Sequence, residues 1–80
     1  MGLAATEEEL AERASRFLKA ELKRAGVTYA ELAERLKEHG LVGETEASVK
    51  SKLKRGTFPA TFLLASMAAI GLAAVAIEDL

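Results

Sequence analysis

The sequence has no cysteine, no tryptophan, one proline (Pro59) and one histidine (His39). Without thiols there is neither a disulfide framework nor a thiolate metal site, and one imidazole cannot close a zinc shell, so thiol redox and zinc-finger readings fall away. Aromatic residues make up only 5% of a chain that is 50% hydrophobic. The core must therefore be built from Leu, Ile, Val and Ala, which suits closely packed helices. Also missing is any pair of acids, or any nucleophile with a nearby base, arranged as catalysis would require. A chain of 80 residues spends nearly all its apolar side chains on one core and has little left to line a cleft. An enzyme is not expected, and no cofactor or metal is called for.

What is present is an uneven charge. The net charge is −1, yet residues 1–12 hold four acids (Glu7, Glu8, Glu9, Glu12) and no base, and residues 56–80 hold only Glu78 and Asp79. All 11 Lys and Arg lie in residues 13–55 with the other six acids, a local net of +5. A basic middle with acidic ends can bind polyanions while the whole chain stays near neutral.

Helix punctuation predicts four helices in a single domain, 1–80. The first opens at Thr6, with Glu9 at capping-box spacing, and carries Leu10, Ala14, Phe17, Leu18, Leu22 and Ala25 as its apolar stripe before Gly26. Arg13, Arg16, Lys19, Lys23 and Arg24 lie mostly off that stripe, as a solvated face or a phosphate-contacting one. The second opens on the box Thr28/Glu31 with the staple Val27/Leu32, buries Tyr29, Leu32, Ala33 and Leu36, and ends at His39 and Gly40. His39 there complements the helix dipole. After a turn at residues 40–44, Thr45 caps a third helix that runs to Gly56.

Setting Val49 and Leu53 inward puts Ala47, Ser48, Ser51, Lys54 and Arg55 on the outer face of the third helix, with Lys50 and Lys52 on its flanks. Small residues let a helix sit deep in a major groove, where Ser hydroxyls bond base edges, an Ala methyl meets thymine and flanking bases reach phosphates. Lys and Arg in a last turn also serve the helix dipole.

Residues 58–77 form an uncharged run of membrane-spanning length. Pro59 and Gly71 punctuate it, however, and predict a short fourth helix whose core face is Phe62, Leu63, Met67 and Ile70. Residues 72–80 are expected to be a tail or a short strand, since Val75 and Ile77 alternate, and an acidic turn precedes the helices. No secretory pattern opens the chain, so it is expected in the cytoplasm without membrane association.

Two pieces carry a resemblance. Val27-Thr28-Tyr29-Ala30-Glu31-Leu32-Ala33 resembles the opening of helix two in lambda-repressor-like (Cro and phage-repressor type) helix-turn-helix proteins, and Leu53-Lys54-Arg55-Gly56 resembles the end of their recognition helix. The run from Phe17 to Gly71 is similar, more closely, to a small bacterial family of domains of unknown function read as helix-turn-helix. The pieces that carry this are Leu18-Lys19-Ala20-Glu21-Leu22, Thr45-Glu46-Ala47 and Arg55-Gly56-Thr57-Phe58. The resemblance implies an all-α, compact four-helix, lambda-repressor-like domain with its core in residues 6–71, the third helix in the major groove, and a symmetric homodimer spanning two half-sites. It also implies a phosphate contact at Thr28 and Tyr29. This chain departs from the phage type in having several more residues between Ala33 and Gly56, so the turn into the third helix is not the tight one.

The resulting expectation is a sequence-specific regulator that binds double-stranded DNA through Thr28, Tyr29, Thr45, Ala47, Ser48, Lys50, Ser51, Lys52, Lys54 and Arg55. Two alternatives come from other classes: a protein-interaction module on the same scaffold, and a tail-anchored membrane protein through 58–77.

Overall fold

The computed structural model describes residues 6–76. It is all-α, with α1 (Glu7–Ala25), α2 (Tyr29–Leu36), α3 (Glu46–Arg55) and α4 (Ala60–Ala69), and a 3-10 turn (Lys37–His39) prolonging α2. The first three helices start at the capping residues that spacing predicts. Thr6 accepts from the Glu9 amide, Thr28 and Glu31 close a reciprocal box, and Thr45 closes another with Ser48. α1, the 3-10 extension of α2 and α4 stop at Schellman-type turns, where Val27 N–H reaches Leu22 O, Leu41 N–H reaches Leu36 O and Leu72 N–H reaches Met67 O, and α3 stops at a single bond from Gly56 N–H to Lys52 O.

The core draws on all four helices. Leu18 and Leu22 of α1, Leu32, Ala33 and Leu36 of α2, Val49 and Leu53 of α3 and Phe62 of α4 are buried, with Val27 from the first turn. α2 packs on both α3 and α4, while α1 closes over the end of α3. Arg35 of α2 donates from Nη1 to Ala69 O at 3.2 Å, satisfying a carbonyl at the end of α4. Phe62 packs against Phe58 with ring centroids 5.2 Å apart and planes at 55°.

Two buried positions are polar. Ser15 Oγ donates to Leu53 O at 2.5 Å, tying α1 to the last turn of α3. Ser66 Oγ is fully buried and has no hydrogen-bond partner among the described residues. A buried hydroxyl without a partner costs free energy that a methyl does not. Ser66→Ala is therefore expected to stabilise the domain by about 1 kcal/mol, raising the midpoint of a thermal circular-dichroism melt by roughly 4–8 °C. An unchanged or lower midpoint would mean the hydroxyl is bonded in solution.

Three expectations are corrected. Residues 72–76 form no strand. Alternation at Val75 and Ile77 cannot make one without a second strand to pair with, and the segment instead lines a shallow groove in which Leu72, Ala74 and Val75 face Phe17, Glu21 and Arg24 of α1. Ile77 and residues 78–80 lie outside the described residues. The acidic turn does not precede the helices but is the first turn of α1, where Glu7, Glu8 and Glu9 meet the positive end of its dipole. Leu10, placed on the apolar stripe, is 42% exposed, because α1 faces the core through Ser15, Leu18 and Leu22.

The uncharged run is broken into α4 and irregular chain. Among the described residues no helix is long and apolar enough to cross a membrane. At ten residues, α4 spans about 15 Å, half a bilayer's hydrocarbon.

Candidate nucleic-acid interface

α3 has a holding side and a bare side. Val49 and Leu53 face the core, and Ala47, Lys50, Ser51 and Lys54 are exposed at i, i+3, i+4 and i+7 spacing along the opposite side. Arg55 is exposed at the C-terminal end and donates from Nη1 to Ser51 Oγ at 3.1 Å. The outward side thus begins with a methyl, offers a hydroxyl in its middle and ends in cations.

Ser48 and Lys52 have other work. Ser48 Oγ accepts from Thr45 N–H at 2.8 Å and donates to Glu44 Oε1 at 2.6 Å, so both functions of the hydroxyl serve the helix start. Lys52 Nζ pairs with Glu44 Oε2 at 3.1 Å, with the two side chains 22% and 14% exposed. The same ammonium sits 5.7 Å from the centre of the Phe62 ring, a cation–π distance. Glu44, Ser48 and Lys52 therefore form one half-buried polar knot that ties the 40–45 loop to α3 and roofs Phe62. Spacing alone groups Lys52 with the other bases, because its partner lies eight positions upstream across a turn. The signal that could have found the knot is the i, i+4 series Glu44, Ser48, Lys52, which continues the helical spacing back through the cap.

Thr45 is exposed and accepts from the Ser48 amide. Thr28 is exposed at the start of α2. Its hydroxyl accepts from Glu31 N–H at 3.1 Å, and its own amide donates to Glu31 Oε1 at 2.9 Å. That amide bond, then the Thr28 hydroxyl, then the charge of Arg35 hold the Glu31 carboxyl below its ordinary value. Tyr29 is half-buried against the core. Of the predicted site residues, the fold brings Ala47, Lys50, Ser51, Lys54 and Arg55 onto one outward surface. It places Ser48, Lys52, Thr28 and Thr45 in caps and ties, and Tyr29 at the core edge.

Gly56 ends α3 with φ +75°, and a Cβ there would lie 3.5 Å from the carbonyl oxygen of Ala11. That is ordinary contact distance, and the tie that holds the basic end of α3 against α1 is the neighbouring Ser15–Leu53 bond.

These features define a small all-helical domain with an outward basic side on α3. The chain belongs to the family described as Domain of unknown function (DUF6471), whose model matches residues 10–75. The match encloses all three pieces that carry the resemblance to a family of that kind. Neither a curated protein nor a solved structure matches the chain significantly.

Proposed function

We propose that this domain is a sequence-reading DNA-binding module of helix-turn-helix type, a small cytoplasmic transcriptional regulator that lays α3 in the major groove of duplex DNA. The observation that carries the reading is the bare side of α3, where Ala47 and Ser51 lie open to base edges beside exposed Lys50, Lys54 and Arg55. Lys50, Lys54 and Arg55 are assigned to phosphates, and Thr28, exposed at the start of α2, to a further phosphate. Ser48, Lys52 and Thr45 are assigned to holding α3 in its pose. Two copies would bind a two-fold site.

The test is selection from a labelled pool of random duplexes at two salt concentrations, followed by sequencing of the bound fraction. Salt-dependent binding that enriches a palindrome is the expected result. Absence of binding at low salt would overturn the reading. A protein-interaction module is the second reading, favoured by Leu10 and Leu64, which are 42% and 61% exposed.

A further inference from the structure

We infer that α1 supplies a second set of phosphate contacts, in a groove between its middle turns and the C-terminal end of α3, so that one stretch of DNA backbone is gripped by two helices. This rests on the DNA-binding reading above and names the part of the ligand that the groove takes.

The groove has a volume of about 670 Å³. Its floor is small, made by Ala11, Ser15 and Gly56, so a backbone can approach closely. Arg16 and Lys19 of α1 line it together with Lys54 and Arg55 of α3. The two bases on α3 stand in its last turn, where the helix dipole alone would account for them. The two on α1 do not, since α1 runs on to Ala25 and both sit in its middle. Arg16 is held by Glu12, at 2.9 Å, in a pair whose side chains are 70% and 71% exposed. Such a pair gives up its cation at little cost.

Charge along α1 is also graded. Glu7 and Glu8 line the groove from the first turn of α1, and Glu8 lies about 16 Å along the helix from Lys19 at 1.5 Å per residue, while Glu12 stands one turn before Arg16 as its ion-pair partner. A polyanion is thus attracted at one end and repelled at the other. Four cations from two helices line this one groove, a donor set that fits phosphodiester oxygens.

The test uses the full chain and a labelled random-sequence duplex, with affinity followed by fluorescence anisotropy across a salt series. The double variant Arg16→Gln/Lys19→Gln changes only exposed side chains, and circular dichroism checks its fold. It is compared with Arg24→Gln/Lys37→Gln, which removes the same charge away from the groove. The expected result is that the groove variant makes the plot of log affinity against log salt shallower by about 1.8, at 0.9 for each phosphate no longer neutralised, while the control keeps the slope of the unmodified chain. Equal slopes for the two double variants would overturn the inference. If the unmodified chain binds while the groove variant is unaffected, the α3 reading stands and the second set of phosphate contacts falls. If the unmodified chain fails to bind at low salt, the DNA-binding reading itself fails and takes the groove with it.

Discussion

Phe62→Ala is expected to leave the chain largely unfolded. Phe62 is 1% exposed and is the largest fully buried side chain among the described residues. It is the place where α4 reaches into the core, and it supports both the Phe58 ring and the Lys52 ammonium. Replacing a buried Phe by Ala costs about 3–5 kcal/mol, because the cavity left behind collapses only in part. A domain of this size, without disulfides or metal, has a total stability of roughly 3–5 kcal/mol from a single core. The loss therefore matches the whole margin. Urea titration followed by circular dichroism should show no folded baseline for this variant, whereas Leu64→Ala, on the exposed side of the same helix, should change stability by less than about 0.5 kcal/mol. A cooperative transition for Phe62→Ala close to that of the unmodified chain would show that α4 is not part of the cooperative unit.

The second large effect concerns binding. Removing Lys50, Lys54 and Arg55 together as Ala should lower the salt slope by about 2.7, at 0.9 for each phosphate contact. Between 1 M and 0.1 M salt that slope difference amounts to roughly 500-fold in affinity. The folded state should be unaffected, since all three side chains point outward. Lys52→Ala should behave in the opposite way, losing about 1 kcal/mol of stability with a small change in slope, because it strips Glu44 of its half-buried partner. Ser51→Ala should keep the slope and change which sequences are selected. Unaltered binding by the triple variant would remove α3 from the interface.

The helix ends are legible in the sequence because they are local. Thr28 with Glu31, Thr45 before α3, Pro59 before α4, and Gly26 and Gly56 after α1 and α3 act through the backbone within one turn, so spacing along the chain decides them. The buried faces of α2 and α3 are legible for the same reason, since Leu32, Ala33 and Leu36, and Val49 and Leu53, recur at helical spacing.

What spacing misses depends on neighbours distant in sequence. Nothing local marks Ser15 as buried, because its partner, the carbonyl of Leu53, is 38 positions away. Ser66 lies inward with Phe62, although the core face that spacing marks on this helix is Phe62, Leu63, Met67 and Ile70. Leu10 and Phe17 read as core and lie outside it, because α1 turns Ser15, Leu18 and Leu22 inward. Lys52 reads as one of four bases and is a roof beam of the core. In the candidate site, the outward stripe of Ala47, Lys50, Ser51 and Lys54 is visible from periodicity alone. The division of labour between it and Ser48 and Lys52 is not.

That division has a consequence for how such a domain can change. The residues that aim α3 (Ser15, Glu44, Ser48, Lys52 and Gly56) are disjoint from those it presents outward. Positions 47, 50, 51 and 54 can therefore be rewritten as a set, with the pose of the helix preserved and almost no toll on folding. Under the proposed DNA-binding reading, the scaffold would act as a holder for an interchangeable key, in which new targets are acquired by changing the teeth while the grip stays as it is.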